Sequence, residues 1–527
     1  MTTSTVATLV IGRLSSLGVD TVFGIPGTHN LELFRAMHEA GIRVITAHHE
    51  QGLGYAADGY SRVTGRPAVL VTTTGPGITN ATTALATSLA ASVPVLAIAP
   101  GVPEAVHRAA VGWLHELPSQ IDHVATLIPS RRALTATDAL EFIDETFNRW
   151  STQRRTPAYL EIPLDILESE VSSTDIGPAS SKPIDRGQAT PAEVTIAAQK
   201  LAAAPKPVIV AGRGACGEPQ AITLLAERLG APVLTTANAK GLMDENHPLS
   251  MGVGLRLREG HSLLEASDCV LIVGTDLGPS ETWTPRLPPL KNVIRIDIEP
   301  EQLQKNVPSR HPLHGDAGEI LHQLLDHLGP DAAQKPHWAS AFCAKRWEQI
   351  DEEGAIYKSF HEVISEVFPE DTAIAGDSSQ ATYFGTANYW PVTRPNRFLY
   401  PAGYGTLGYA LPAAIGAAIS GATENVIAVT GEGGFMFSMQ EFATAVRMGL
   451  KIPVVVFSNG GFKEIRDGMK SRNMVPTAVD FEVPDFVGLA RSLNGEAHSA
   501  TNIEEFRLAL KQAKAANGPT LIHVPLT

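Results

Sequence analysis

Apolar residues along this 527-residue chain gather in short unbroken runs, separated by stretches with helical spacing. The runs at 68–72, 93–98, 208–211, 270–273, 426–429 and 454–457 show no apolar–polar alternation. A strand with one wet face alternates; a strand covered on both faces does not, so these runs predict buried parallel strands. Helices are expected over 5–17, from about residue 30, from residue 50, from 77 to 89, and over 435–448. Such alternation predicts parallel sheets with helices on both faces and ligands outside the carboxyl ends of the strands.

Composition divides this pattern into three α/β, Rossmann-like domains, at 1–168, 190–328 and 341–527. The stretch 168–190 is rich in Ser, Pro and charge and reads as a linker, and 329–340 as a weaker one. Strands at 208–211, 233–236, 270–273 and 293–296 lie between them. The middle domain carries a literal G-x-G-x-x-G, Gly212 to Gly217, directly after a strand. That pattern suits a dinucleotide-binding dehydrogenase, but the next strand ends in Thr-Ala-Asn, without an acidic residue for a ribose hydroxyl. A tight turn in a spacer domain is the favoured reading.

Bulk properties narrow the classes. A net charge of −14 argues against nucleic acid or an anionic membrane surface as partner. Cys216, Cys269 and Cys343 lie far apart in no metal or disulfide pattern, which suits a reducing cytosol. The N-terminal stretch has no basic segment before its apolar residues, and no run reaches membrane-spanning length, so a cytoplasmic protein is expected.

The most informative stretch is VIAVTGEGGFMFSMQEFATAVRMGLKIPVVVFSNGG (426–461). It reads as a strand, a tight turn at Gly431-Glu432-Gly433-Gly434, a helix, and a second strand ending at Ser458-Asn459-Gly460-Gly461. Glycines let the backbone approach a phosphate, and first-turn N–H groups at Gly433, Gly434 and Phe435 would face it. Glu432 and the Asn459 amide oxygen fall at neighbouring strand ends; with phosphate oxygens they suit a hard cation such as Mg²⁺. Any βαβ unit with a Gly-rich turn meets the same description. TTTGPGITNATTALATSLAASVPVLAIAPG (72–101) repeats the plan, which predicts domains of similar topology at the two ends of the chain.

Taken in order, the motifs are more specific. Phe23-Gly-Ile-Pro-Gly27, His49-Glu50-Gln51 with Ala57-Asp58-Gly59-Tyr60, Thr74-Gly-Pro-Gly77 with Asn80, Gly403-Tyr-Gly405-Thr-Leu407-Gly408, and Glu432 with Asn459 span nearly the whole chain. Together they resemble the acetolactate synthase/benzoylformate decarboxylase group of thiamine-diphosphate (ThDP) enzymes. GIPGTHNLELFR (24–35), GWLHELPSQ (112–120), GYGTLGYALP (403–412) and EIRDGM (464–469) look most like 5-guanidino-2-oxopentanoate decarboxylases.

The resemblance implies roles. Glu50 would press on N1′ of the aminopyrimidine, so that the 4′-imine removes the thiazolium C2 proton; burial would tune its pKa. The Gly405 carbonyl would accept from the 4′-amino group and Leu407 would hold the cofactor's V shape. Ser379, Gln380 and Thr74 match further cofactor contacts, and the Gly461 carbonyl completes the metal ligands with Glu432 and Asn459. His49, His29 and His115 could move protons, although each position also suits an ordinary histidine. Thr28, Trp113 and Glu464 are the candidate substrate contacts, Glu464 pairing with a guanidinium if the substrate carries one.

The implied reaction is ThDP- and Mg²⁺-dependent, non-oxidative decarboxylation of a 2-oxo acid through an enamine. Protonation then gives an aldehyde; trapping by a second carbonyl, as in acetolactate synthase, gives a 2-hydroxy ketone. The implied assembly is a homodimer or homotetramer. Residues 274–286 lack the basic-aromatic-Asp-Asp pattern of flavin-binding relatives, so FAD is not expected. One departure stands out: the family has Asp where this chain has Glu432, which leaves a ThDP fold with weakened cofactor binding as a third reading.

Overall fold

A computed structural model describes residues 3–172, 187–329 and 336–526. The linker expected over 168–190 lies mostly outside the described residues, as does much of that over 329–340. The chain forms two compact units. One comprises residues 1–185 with 411–422 and 438–450; the other comprises 186–410, 423–437 and 451–527.

The first unit is built on a six-stranded, all-parallel sheet. Its spatial order is Arg43–Ile45, Thr21–Gly24, Ala68–Val71, Val95–Gly101, Ala158–Pro163 and Ser130–Arg132. Numbered along the chain, that order is 2-1-3-4-6-5. A short antiparallel pair, Thr3–Thr5 with Glu170–Ser172, stands apart from it. The second unit contains two more parallel sheets. One has five strands: Val233–Thr235, Pro207–Ala211, Cys269–Val273, Val293–Asp297 and His311–His314. The other has six: Phe398–Leu399, Ala373–Gly376, Val426–Gly431, Pro453–Ser458, Thr520–Pro525 and Glu496–Ser499. Its chain-numbered order is again 2-1-3-4-6-5; 72–101 runs from the end of the third strand of its sheet through the fourth, and 426–461 spans the third and fourth strands of the other.

Burial explains the missing alternation. Every residue of Ala68–Val71, Val95–Gly101, Cys269–Val273 and Pro453–Ser458 is buried. Each Val, Ile or Leu so covered contributes about 1.5–3 kcal/mol relative to exposure. His311–His314 escapes the pattern because it is an edge strand containing Pro312, and Leu313 alone is buried in it.

The helix expected over 435–448 is two helices, Glu432–Met436 and Glu441–Arg447. Between them the N–H groups of Phe437, Glu441, Phe442 and Ala443 bond three residues back, not four. That tightening breaks the regular ladder and re-aims the chain. The G-x-G-x-x-G turn is committed to packing. Gly212 N–H donates to the Val273 carbonyl at 2.8 Å and Gly214 N–H to the Gly274 carbonyl at 3.0 Å, so neither amide is left for a pyrophosphate. No described helix is long and apolar enough to cross a membrane.

Candidate active site

Within the first unit, the carboxyl ends of three neighbouring strands carry the predicted residues. The turn after Thr21–Gly24 is held by buried Asn30, which accepts from Gly27 N–H at 2.7 Å and donates to the Ile25 carbonyl at 3.0 Å. It presents exposed Thr28 and buried His29. The next turn brings in Thr74, whose buried hydroxyl donates to the Pro100 carbonyl at 2.9 Å. Gly75 N–H donates to buried Gln120 Oε1 at 2.6 Å, and Gln120 Nε2 donates to the Pro100 carbonyl and Tyr159 hydroxyl. Gly75 has φ +65°, and a side chain there would strike the His115 carbonyl.

His115 thereby lies over the turn, with its ring edge-on to His29 at 5.3 Å between centroids. Both Nδ1 atoms are buried without a partner. Burial, and then the His115 ring, push the His29 pKa below its ordinary value. Trp113, in the same loop, is exposed, and its N–H and that of Gly112 are gathered by Glu116 Oε2 at 3.0 and 2.8 Å.

Glu50 is the first residue of the helix Glu50–Thr64 and is half-buried. Asn80 Nδ2 donates to its Oε2 at 3.0 Å, which fixes the carboxylate's direction. His49 caps the helix, its Nδ1 accepting from Gln51 N–H at 3.1 Å. The neutral ring therefore carries its proton on Nε2 and faces partners as a donor.

The residues expected to line a diphosphate and its metal lie in the second unit. Glu432 starts the short helix after Val426–Gly431 and is buried. Its Oε1 accepts from Asn459 N–H at 2.8 Å and Gly461 N–H at 2.9 Å. The extra methylene relative to Asp is spent in reaching these amides. Asn459 Oδ1 is buried with no partner, and the Gly461 carbonyl accepts from Lys463 N–H at 3.1 Å. Among the described residues no three His, Cys, Asp or Glu side chains cluster as metal ligands. A cation here would thus meet one carboxylate with neutral oxygens, a donor set suited to a hard ion. The orphaned amide oxygen beside a buried carboxylate fits that group.

Gly433 and Gly434 form the first helical turn. A side-chain carbon at Gly433 would lie 2.7 Å from the Phe462 ring, and one at Gly434 2.8 Å from Asp377 Oδ2. Phe435 is buried edge-on against Phe486. Ser379 lies against the Gly431 end of the strand, its Cβ 3.5 Å from where a Gly431 side chain would begin. The Gln380 Nε2 donates to Glu464 Oε2 at 2.9 Å and Asp467 Oδ2 at 3.2 Å.

Gly405 adopts φ +68° with open space where a side chain would be, and Leu407 is half-buried. The strip that carries them is anchored by buried Asp377, which accepts Gly408 N–H at 3.0 Å, Ser378 N–H at 3.0 Å and the Thr430 hydroxyl at 3.2 Å. Burial raises the Asp377 pKa to about 6 against the pull of those donors. Asp377, Asn80 and Gln120 are the residues whose roles sequence reasoning missed. Asp377 was signalled only by its place just after the strand Ala373–Gly376, Asn80, inside the helix Pro76–Ala90, only by the motif it stands in, and Gln120, at the start of Gln120–Ala125, by nothing local.

Comparison with known proteins shows the family. Models of the thiamine pyrophosphate enzyme N-terminal TPP binding domain, central domain and C-terminal TPP binding domain match residues 4–126, 194–324 and 379–524. A probable 2-ketoarginine decarboxylase of Pseudomonas aeruginosa is 36% identical over 533 residues, covering 99% of this chain and 94% of the relative. A probable acetolactate synthase large subunit of Methanocaldococcus jannaschii is 30% identical over 550 residues, 98% and 91% of the two chains. The acetolactate synthase isozyme 2 large subunit of Escherichia coli is 29% identical over 536 residues, 98% and 94%. The chain belongs to the thiamine pyrophosphate enzyme family and is a ThDP-dependent enzyme.

Proposed function

We propose that the enzyme catalyses Mg²⁺-assisted, non-oxidative decarboxylation of a 2-oxo acid whose far end is a guanidinium. The observation that carries this reading is the carboxylate pair beside the diphosphate half-site. Glu464 and Asp467 lie on the helix Lys463–Ser471, directly after Gly461, and Gln380 bridges them. Lys463 already pairs with Asp467, which leaves Glu464 for a cationic ligand. A planar guanidinium fits a carboxylate in a two-pronged contact. The full-length similarity to a probable 2-ketoarginine decarboxylase supports the same class.

Bound ThDP supplies an electron sink as CO₂ departs. The protein's part is holding, orienting and proton transfer. Glu432, Asn459 and the Gly461 carbonyl would hold Mg²⁺; Gly433, Gly434 and Ser379 would line the diphosphate. The Gly405 carbonyl and Leu407 would set the ring orientation. Glu50, aimed by Asn80, would share a proton with the aminopyrimidine, and His29, His115 and His49 would serve the reacting acid. Exposed Trp113, Leu114, Tyr404 and Phe437 beside the two half-sites favour a homodimer, in which one chain's Glu50 half-site meets its partner's diphosphate half-site. Three free cysteines without a pairing pattern favour the cytosol.

The similarity to acetolactate synthase large subunits favours a second reading, carboligation to a 2-hydroxy ketone. One experiment separates the two: CO₂ release and product identity for 5-guanidino-2-oxopentanoate, benzoylformate and pyruvate, each with ThDP and Mg²⁺. The guanidino acid should be preferred, its product an aldehyde, and Glu464→Gln should raise its KM about tenfold without changing that for pyruvate. A 2-hydroxy ketone as the main product would establish the carboligase, and no CO₂ from any acid would end both readings.

A further inference from the structure

We propose that Glu441 is a positioning residue for Glu50, a buried carboxylate that anchors the turn from which the Glu50 helix starts. The inference rests on the reading that Glu50 addresses the cofactor. Although Glu441 follows the diphosphate turn in sequence, residues 438–450 belong to the first unit. Glu441 is fully buried at the start of Glu441–Arg447.

Its carboxylate faces the backbone immediately before Glu50. His48 N–H lies 3.3 Å from both carboxylate oxygens, and His49 N–H also donates to the group. Thr444 donates its hydroxyl to Glu441 Oε2 at 2.7 Å, so its oxygen accepts from His48 Nδ1–H at 2.9 Å. The same helix holds this turn a second time, where Arg447 donates to the Thr46 carbonyl. Backbone and ring of the residue two before Glu50 are thus tied to one carboxylate and its hydroxyl partner.

Gly52 supplies an independent mark of the contact. A side-chain carbon there would lie 2.7 Å from Glu441 Oε1 and 3.0 Å from its Cγ. The first turn of the Glu50 helix is bare at the point where the carboxylate rests against it. A buried carboxylate is costly unless every oxygen is used, and this one raises its own pKa by burial while Thr444 and the His48 and His49 amides offset the cost. Packing alone would be served by leucine. What the carboxylate adds is direction, and a group that must meet one cofactor nitrogen needs its helix start held to about 0.5 Å.

The test uses full-length protein and three variants, Glu441→Leu, Glu441→Gln and Gly52→Ala. Two readouts are taken: amide hydrogen exchange of peptides covering 46–53 without cofactor, and the rate of deuterium exchange at C2 of bound ThDP. Glu441→Leu and Gly52→Ala should each speed amide exchange at 46–53 at least tenfold and slow C2 exchange at least tenfold. Glu441→Gln, which keeps an acceptor oxygen, should recover most of both. Unchanged amide exchange at 46–53, or unchanged C2 exchange, in either disruptive variant would overturn the proposal; if Glu441→Leu does not fold, Gly52→Ala decides. Glu50→Gln runs in parallel: if it leaves C2 exchange intact, the reading of Glu50 has failed, not the anchoring role of Glu441.

Discussion

Glu432 and Asn459 are joined across adjacent strand ends: Asn459 N–H donates to Glu432 Oε1 at 2.8 Å, while the Asn459 side-chain oxygen is buried with no partner. The longer carboxylate thus reaches the loop that carries the other expected ligands. Shortening it by one carbon withdraws the oxygen by about 1.5 Å. Glu432→Asp should then lose at least one of the amide contacts and bind ThDP with Mg²⁺ about tenfold more weakly, and Asn459→Ala about 10–100-fold more weakly. Chelation should release the cofactor from the native protein. Calorimetric titration of cofactor-stripped protein checks this; tighter binding by Glu432→Asp would mean that the glutamate limits cofactor loading.

The sheets were legible because parallel strands are buried on both faces, and the repeat between 72–101 and 426–461 was legible because equivalent strands need equivalent turns. The glycine turn, Glu50 and the 432–459 pair could be read from local motifs. Less visible were features that depend on distant partners. Gln120 meets Gly75 across 45 positions, and Glu441 meets His48 across 393. No local periodicity encodes such contacts, and a buried Glu inside a helical pattern looks like a solvated one. The break at 437–440 was hidden for a related reason. Its residues suit a helix, and the tightening shows only in which carbonyl each N–H chooses.

Asp377 gives a prediction with a defined pH window. Its pKa rises from 3.8 to about 6 because burial outweighs its hydrogen bonds, so folding favours the protonated form. The associated stability is complete below the ordinary carboxylate range and is lost as pH rises through about 6; the shift corresponds to ~3 kcal/mol. Asn cannot ionise. Relative to wild type, Asp377→Asn should therefore gain ~3 kcal/mol between about pH 4 and pH 6.5 and level off above. Denaturant unfolding at a series of pH values measures it, and a difference that does not vary with pH would mean the carboxylate is not shifted.

His29 and His115 constrain each other. With both Nδ1 atoms buried and unpartnered, a proton on His29 meets desolvation first and the neighbouring ring second, and both hold its pKa below the ordinary value. If His29 donates the proton that completes the product, its active form is scarce at pH 7, and kcat should rise as pH falls below about 6.5. Asn is the informative replacement for His115, because the position has φ +64° and Asn tolerates that backbone while bringing no charge. Removing the second ring's repulsion should move the inflection in kcat toward higher pH, leaving more of the donor protonated at neutrality. The pH dependence of kcat in wild type and His115→Asn decides the matter: an inflection that stays in place, or moves to lower pH, would remove His29 from the proton-transfer step and leave the pair a packing contact beside the Gly75 turn.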